Sequence, residues 1–401
     1  MGSSQRGRGV RGVLAVMTVA VVVVAGAGCA SEQSPGSAES ATSASRSSSA
    51  VSSPSSSAVA APVSACGTAE LAKMTLRQKL AQMIVVGVTG AADAQAIVNK
   101  EQVGGIFVGS WTDMSILSSG AAGRISRNSK IPLMVTVDQE GGRVSRLSSL
   151  GIDSPSAREL AQTKTPAQVQ ALGQSMGRQL RQLGVTVNFA PDVDVSAEAD
   201  DEVIGDRSFS NDPAVVTEYA GAFSAGLQSA GITPVYKHFP GHGHGSGDSH
   251  LGVVVTPPLA SLEKSDLVPY RTLLKNPGNA AVMVGHLIVP GLTGPETPSS
   301  ISPRAIGMLR TGQPYGGPPF NGVVFSDDLS GMAAISARYP IEQAVPMAIE
   351  AGSDVALWLA TDHVSSVLDS LQREVAAKRL TMARVDRSVV RILRSKGVLT
   401  C

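Results

Sequence analysis

The chain has 401 residues, with 33 Lys and Arg against 32 Asp and Glu, for a formal charge of +1. That balance lacks the basic excess of a nucleic-acid binder, so no nucleic-acid partner is expected. Hydrophobic residues at 43% suit a large globular core, and aromatics at 3% argue against a carbohydrate-binding surface tiled with stacked rings.

The first 65 residues read as export and tether. Arg6, Arg8 and Arg11 precede an apolar run from Val13 to Ala25 and a small-residue stretch ending before Cys29. A basic start, a short apolar segment and a small-residue cleavage zone define a signal peptide over residues 1–28. The run is short of the roughly 20 residues that a membrane span needs. AGAGC at 25–29 resembles a bacterial lipobox, in which the cysteine is lipidated and becomes the mature N-terminus. Gly26 stands where that motif usually has Leu or another aliphatic residue. The expectation is lipidation at Cys29 and a membrane anchor outside the cytoplasm, with soluble secretion as the alternative. Residues 29–65 are mostly Ser and Ala, with Glu32, Glu39 and Arg46 as their charges. Such a tract cannot bury enough apolar surface to fold and reads as a flexible tether open to O-glycosylation.

Cys66 opens the remaining sequence and Cys401 closes it. An isolated pair of this kind in an exported protein suggests a disulfide, the alternative being two free thiols.

Between those cysteines, apolar β-branched runs alternate with amphipathic stretches. Strands are expected at Met83–Val88, Gly105–Val108, Leu133–Val137, Val185–Ala190, Thr233–Lys237, Ala281–Gly285, Val323–Ser326 and Val355–Leu359. Helices are expected between them, among others at Pro166–Leu183, Pro213–Ala230, Ser261–Leu274 and Ile341–Ala351. Alternation of this kind implies an α/β protein with a parallel sheet. Eight units over residues 66–401 fit a single (β/α)8 barrel of the TIM type. A doubly wound sheet is the alternative, but no GxGxxG follows an early strand.

Several expected strands end in polar residues: Asp138 after the third, Lys237 and His238 on the fifth, His286 after the sixth, Asp327 and Asp328 after the seventh. Asp192 and Asp194 follow the fourth. In a barrel these ends share one rim, where the active site lies. Four of the six histidines fall in KHFPGHGHGSGDSH, residues 237–250. HGHG with nearby carboxylates fits a zinc site. Alternatively, Asp248 two residues before His250 can hold one ring nitrogen and leave the other for proton transfer. A loop merely shaped by its glycines and Pro240 is the third reading.

KHFPGHG followed by DSH resembles the signature of glycoside hydrolase family 3, in particular its exo-β-N-acetylglucosaminidases. VDQEGGRVSR at 137–146, NFAPDVDV at 188–195, IGDRSF at 204–209 and FSDDLSGMAA at 325–334 are similar to further family segments, in the same order. With the lipobox and tether, the chain resembles the mycobacterial-type lipoprotein members. His244-Gly245 departs from the Asp-Thr of many relatives, and the length leaves no room for the smaller second domain of some. The resemblance implies Asp327 as nucleophile and His250 as general acid/base, oriented by Asp248. It implies that Asp138, Arg146, Arg207, Lys237 and His238 bind a terminal N-acetylglucosamine, a structural ion pair being the alternative for Arg207. Asp192, Asp194 and Asp328 are expected to support rather than react, and Trp111 and Trp358 to pack rather than to stack on sugar. The implied activity is retaining hydrolysis of muropeptide fragments without cofactor or metal. A β-glucosidase, a zinc-dependent barrel hydrolase and an inactive wall-binding lipoprotein are the alternatives.

Overall fold

The computed structural model describes residues 66–401. The expected signal peptide, Cys29 and the expected tether lie outside the described residues.

Eight parallel strands close into a barrel: β1 Ile84–Gly87, β2 Gly105–Val108, β3 Met134–Val137, β4 Val187–Asn188, β5 Thr233–Phe239, β6 Ala281–Val284, β7 Val324–Asp328 and β8 Val355–Trp358. Each pairs with its sequence neighbours, and β1 closes the ring on β8 with Ile84 opposite Ala356. These are the eight strands read from the sequence. Helices cover the outside, so the strands are buried on both faces, which is why they read as continuous apolar runs. Phe107, Phe189 and Phe325 meet inside the barrel, with ring centroids 5.8 and 5.4 Å apart. Among the described residues no helix is long and apolar enough to cross a membrane.

The helices start where the chemistry of their first residues allows. Thr165 and Gln168 form a reciprocal cap on Pro166–Gln182, and Asp212 caps Pro213–Ser229 by accepting from the Ala214 N–H at 2.8 Å. One expected helix is different. Ser261–Leu274 is broken into Leu259–Leu262 and Leu267–Leu273. Pro269 has no N–H to give the Ser265 carbonyl, so a continuous helix would lose a bond there. Asp266, at the break, is buried and holds His244 instead.

The last helix, Met382–Ser395, brings the C-terminus back to the first described turn. Cys66 and Cys401 are joined as a disulfide, with Cα atoms 5.7 Å apart. At the barrel end remote from the strand C-termini, buried Asp354 precedes β8 and meets Arg310, Arg384 and Arg391.

Candidate active site

A cleft of about 590 Å³ opens at the C-terminal ends of the strands. Its floor includes Phe107, Phe189, Met283 and Leu357 from the barrel interior. All eight residues to which the sequence assigned catalytic or sugar-binding roles line this one cleft.

Asp138 follows β3, and a short hairpin, Gln139–Gly141 with Val144–Ser145, turns the chain back beside it. Gly141 takes φ 109° in that turn, and a Cβ there would lie 2.4 Å from the Ser154 hydroxyl. The Gln139 amide holds the hairpin by accepting from the Leu147 N–H and donating to the Ile152 carbonyl, each at 3.0 Å. The hairpin buries Glu140 at the mouth of the barrel.

Glu140 organises the cations. Arg207 grips it through two bonds of 2.9 Å, and Lys237 Nζ lies 2.6 Å from it and 2.7 Å from Asp138. Burial works to raise the Glu140 carboxyl, but the charges of Arg207 and Lys237 outweigh it and hold the group below its ordinary value. Burial works to lower the Lys237 ammonium, and Asp138 and Glu140 raise it instead. The floor therefore presents two fixed cations and two carboxylates, suited to several sugar hydroxyls at once. Arg207 makes the ion pair expected as the alternative, and it also lines the cleft.

His238 follows Lys237 across a cis peptide bond, and both side chains line the cleft. Its Nδ1 lies 2.7 Å from Asp194 Oδ2, and its Nε2 is 3.5 Å from the Arg207 guanidinium. Burial lowers the His238 imidazole, which favours the neutral ring. A carboxylate on Nδ1 assigns the proton there and leaves Nε2 as the acceptor. Burial pushes Asp192 and Asp194 up, and the charge of Asp194 raises Asp192 further.

Asp192, Asp194 and His238 form the one group of three candidate metal ligands close enough to share a cation among the described residues. His238 Nδ1 is bound to Asp194 and Asp192 Oδ1 accepts from the Asp194 N–H, whereas Asp192 Oδ2 is buried without a hydrogen bond, 3.4 Å from the Arg207 guanidinium. The HGHG pair expected for zinc is split. His244 Nδ1 lies 3.0 Å from Asp266, whereas His242 lines the cleft with its Nδ1 unbonded.

Asp248 accepts from both the backbone N–H and the Nδ1 of His250, each at 2.8 Å. The loop is fixed where the N–H groups of Ala333 and Ala334 donate to the carbonyls of His250 and Ser249. The His250 side chain remains 65% exposed, so its Nε2 is open to a substrate. Partial burial works to raise Asp248, but the His250 N–H and ring outweigh it and hold the carboxyl below its ordinary value.

Asp327 lies on β7, half buried. Burial works to raise its carboxyl, and the facing His238 and His286, the Asp328 N–H and Lys237 bring it below the ordinary value. An ionised carboxylate thus stands in the cleft without a side-chain cation bonded to it among the described residues. Asp328 instead accepts from Ser330 and Gly331, each at 2.8 Å, and His286 bridges Ser300 Oγ and the Asp328 carbonyl. Arg146 is half buried on the cleft wall.

Glu140 and the bond from Asp194 to His238 were not assigned from sequence. The spacing of Asp138 and Glu140 was the available signal, because residues two apart on extended chain share a face. Trp358 is buried, whereas Trp111 is 45% exposed on the cleft rim.

A parallel barrel with carboxylates, oriented imidazoles, buried Lys237 and half-buried Arg207 around one strand-end cleft has the makeup of a barrel enzyme for polar substrates. The model of the glycosyl hydrolase family 3 N-terminal domain matches residues 75–395. The Mycobacterium tuberculosis beta-hexosaminidase LpqI is 58% identical over 81% of this chain and 84% of its own length. A beta-hexosaminidase of Xanthomonas oryzae pv. oryzae is 35% identical over 75% and 89%. The crystal structure of a family 3 glycosyl hydrolase from Mycobacterium smegmatis superposes with a TM-score of 0.80 at 56% identity, covering 82% of this chain and 99% of that one. The chain belongs to glycoside hydrolase family 3, and it is a glycosidase.

Proposed function

We infer that this glycosidase is a retaining exo-β-N-acetylglucosaminidase. Asp327 attacks the anomeric carbon while His250 gives its Nε2 proton to the departing glycosidic oxygen. A covalent glycosyl–enzyme forms and the aglycone leaves. His250, now neutral, takes a proton from water, which attacks the same carbon and frees Asp327. Two inversions give net retention. Asp248 keeps the Nδ1 proton in place through both steps. Asp138, Arg146, Arg207, Lys237 and His238 hold the terminal sugar.

The observation that carries this reading is the convergence of Asp327, the Asp248–His250 pair and the Glu140-centred ion cluster on one cleft. The beta-hexosaminidase names of the relatives support the amino sugar over glucose. The natural substrate would be a wall-derived fragment with N-acetylglucosamine β-linked to an N-acetylmuramic or anhydro-N-acetylmuramic residue. The protein would work outside the cytoplasmic membrane, anchored through Cys29. Cys29→Ala should then shift it from the detergent phase to the culture fluid, and a wild type already wholly in the fluid would contradict the anchor. For the activity, the test is chromogenic β-N-acetylglucosaminide against the matching β-glucoside. Release from the first alone is expected; a preference for glucose would overturn the assignment.

A further inference from the structure

We propose that Trp111 and Leu251 form an apolar subsite that binds the aglycone as a second sugar ring. This rests on the glycosidase reading above and names what lies on the leaving-group side of the bond. Two of the exposed large hydrophobic side chains, Trp111 at 45% and Leu251 at 83%, line the cleft itself. Apolar and aromatic side chains gathered in one cleft with a few convergent polar groups are the usual makeup of a ligand site.

The position of Leu251 follows from the chemistry. His250 must reach the oxygen that joins the terminal sugar to the aglycone. The aglycone therefore lies beside His250, and Leu251 is the next residue. The ions around Glu140 occupy the buried floor, where the terminal sugar sits in an exo-acting enzyme. The apolar groups are at the solvent-exposed rim, towards which the aglycone projects.

Trp111 is held in place there. The Thr112 hydroxyl accepts from the Gly109 N–H at 3.0 Å and donates to the Val88 carbonyl at 2.7 Å, which fixes the turn after β2. The indole lies directly over Gly109: a Cβ on that residue would come within 2.3 Å of the ring. Phe107 supports the indole from the barrel side at 5.9 Å between centroids. An anchored, half-exposed indole offers a flat, electron-rich face, and the axial C–H groups of a β-linked pyranose carry the complementary partial charge. Beyond the indole a second depression of about 430 Å³, bordered by Thr89, Asp93 and Thr361, leaves room for substituents on that ring.

The test compares two substrates of the intact enzyme: N,N′-diacetylchitobiose, whose leaving group is a sugar, and N-acetyl-β-glucosaminyl fluoride, whose leaving group has no ring. The quantity read is the ratio of kcat/KM for the disaccharide to that for the fluoride. Trp111→Ala should lower this ratio about tenfold, and Trp111→Phe should keep most of it. Gly109→Ala, which must push the indole aside, should lower the same ratio with Trp111 still present. A ratio unchanged in Trp111→Ala, whatever happens to the absolute rates, overturns the subsite in an enzyme that is otherwise active. A wild type that cleaves neither substrate overturns the glucosaminidase reading and the subsite with it.

Discussion

At the scale of single residues, the groups proposed to react differ in their partners from those proposed to hold the sugar. Among the described residues Asp327 has no ion pair, His250 has one carboxylate and an open face, and Glu140 is bound by Arg207 and Lys237. His250→Ala should cut kcat/KM for a natural disaccharide by about 10²–10⁴, the usual worth of general acid catalysis, and much less for an aryl glycoside with a good leaving group. Asp248→Ala should show a milder form of the same split, since the ring remains but loses its orientation. Equal losses on both substrates would place His250 outside the proton transfer. Glu140→Gln tests the holding groups. A carboxyl held below its ordinary value stabilises the folded state above that ordinary value and loses this effect as the pH falls through the lowered one. The variant should therefore be less stable at pH 7 by roughly 3 kcal/mol, because buried Lys237 and half-buried Arg207 lose a charged partner. The gap to wild type should close in strongly acid solution. Denaturant titration across pH measures it, and a gap that widens towards acid would reverse the sign of the argued charge coupling.

At the scale of elements, the sequence was legible wherever the environment imposes a pattern. All eight barrel strands were visible as β-branched runs, because helices bury one face and the barrel interior the other. The core of β4 is shorter than expected, Val187–Asn188 against Val185–Ala190, although Thr186 and Phe189 still bond to Val135 and Val137. The broken helix around Asp266 had a local signal in Pro269, but the bond from Asp266 to His244 at the break is tertiary and was not legible. Glu140 was hidden for a similar reason. Its spacing from Asp138 places it on the same face, but nothing local tells that it accepts from two distant cations. The closing element is the Cys66–Cys401 disulfide, across 335 residues of sequence. Replacing both cysteines by serine should cost about 2–4 kcal/mol by restoring entropy to the unfolded chain. Paired denaturation curves would measure the loss. An unchanged midpoint, or two alkylatable thiols in freshly isolated protein, would contradict the crosslink.

At the scale of the whole molecule, the two ends of the barrel divide the work. Asp354 with its three arginines ties β8 to the outer helices at the bottom, away from the cleft. Every candidate chemical group gathers at the top, from the ends of β3, β5 and β7 and from the loops after β4 and β5. Much of this rim was readable because strand-end polar residues in a barrel must converge. What each one is expected to do was read from family resemblance, and the structure adds the groups facing Asp327 that bring its carboxyl below the ordinary value. The central claim is that this carboxylate becomes covalently glycosylated. Incubation with a slow fluorinated N-acetylglucosamine analogue, followed by peptide mass spectrometry, tests it most directly. The expected result is one sugar on Asp327, in the peptide containing FSDDL, and no label on Asp327→Ala. A label on Asp328, or hydrolysis with inversion at the anomeric carbon and no trapped sugar, would contradict the mechanism.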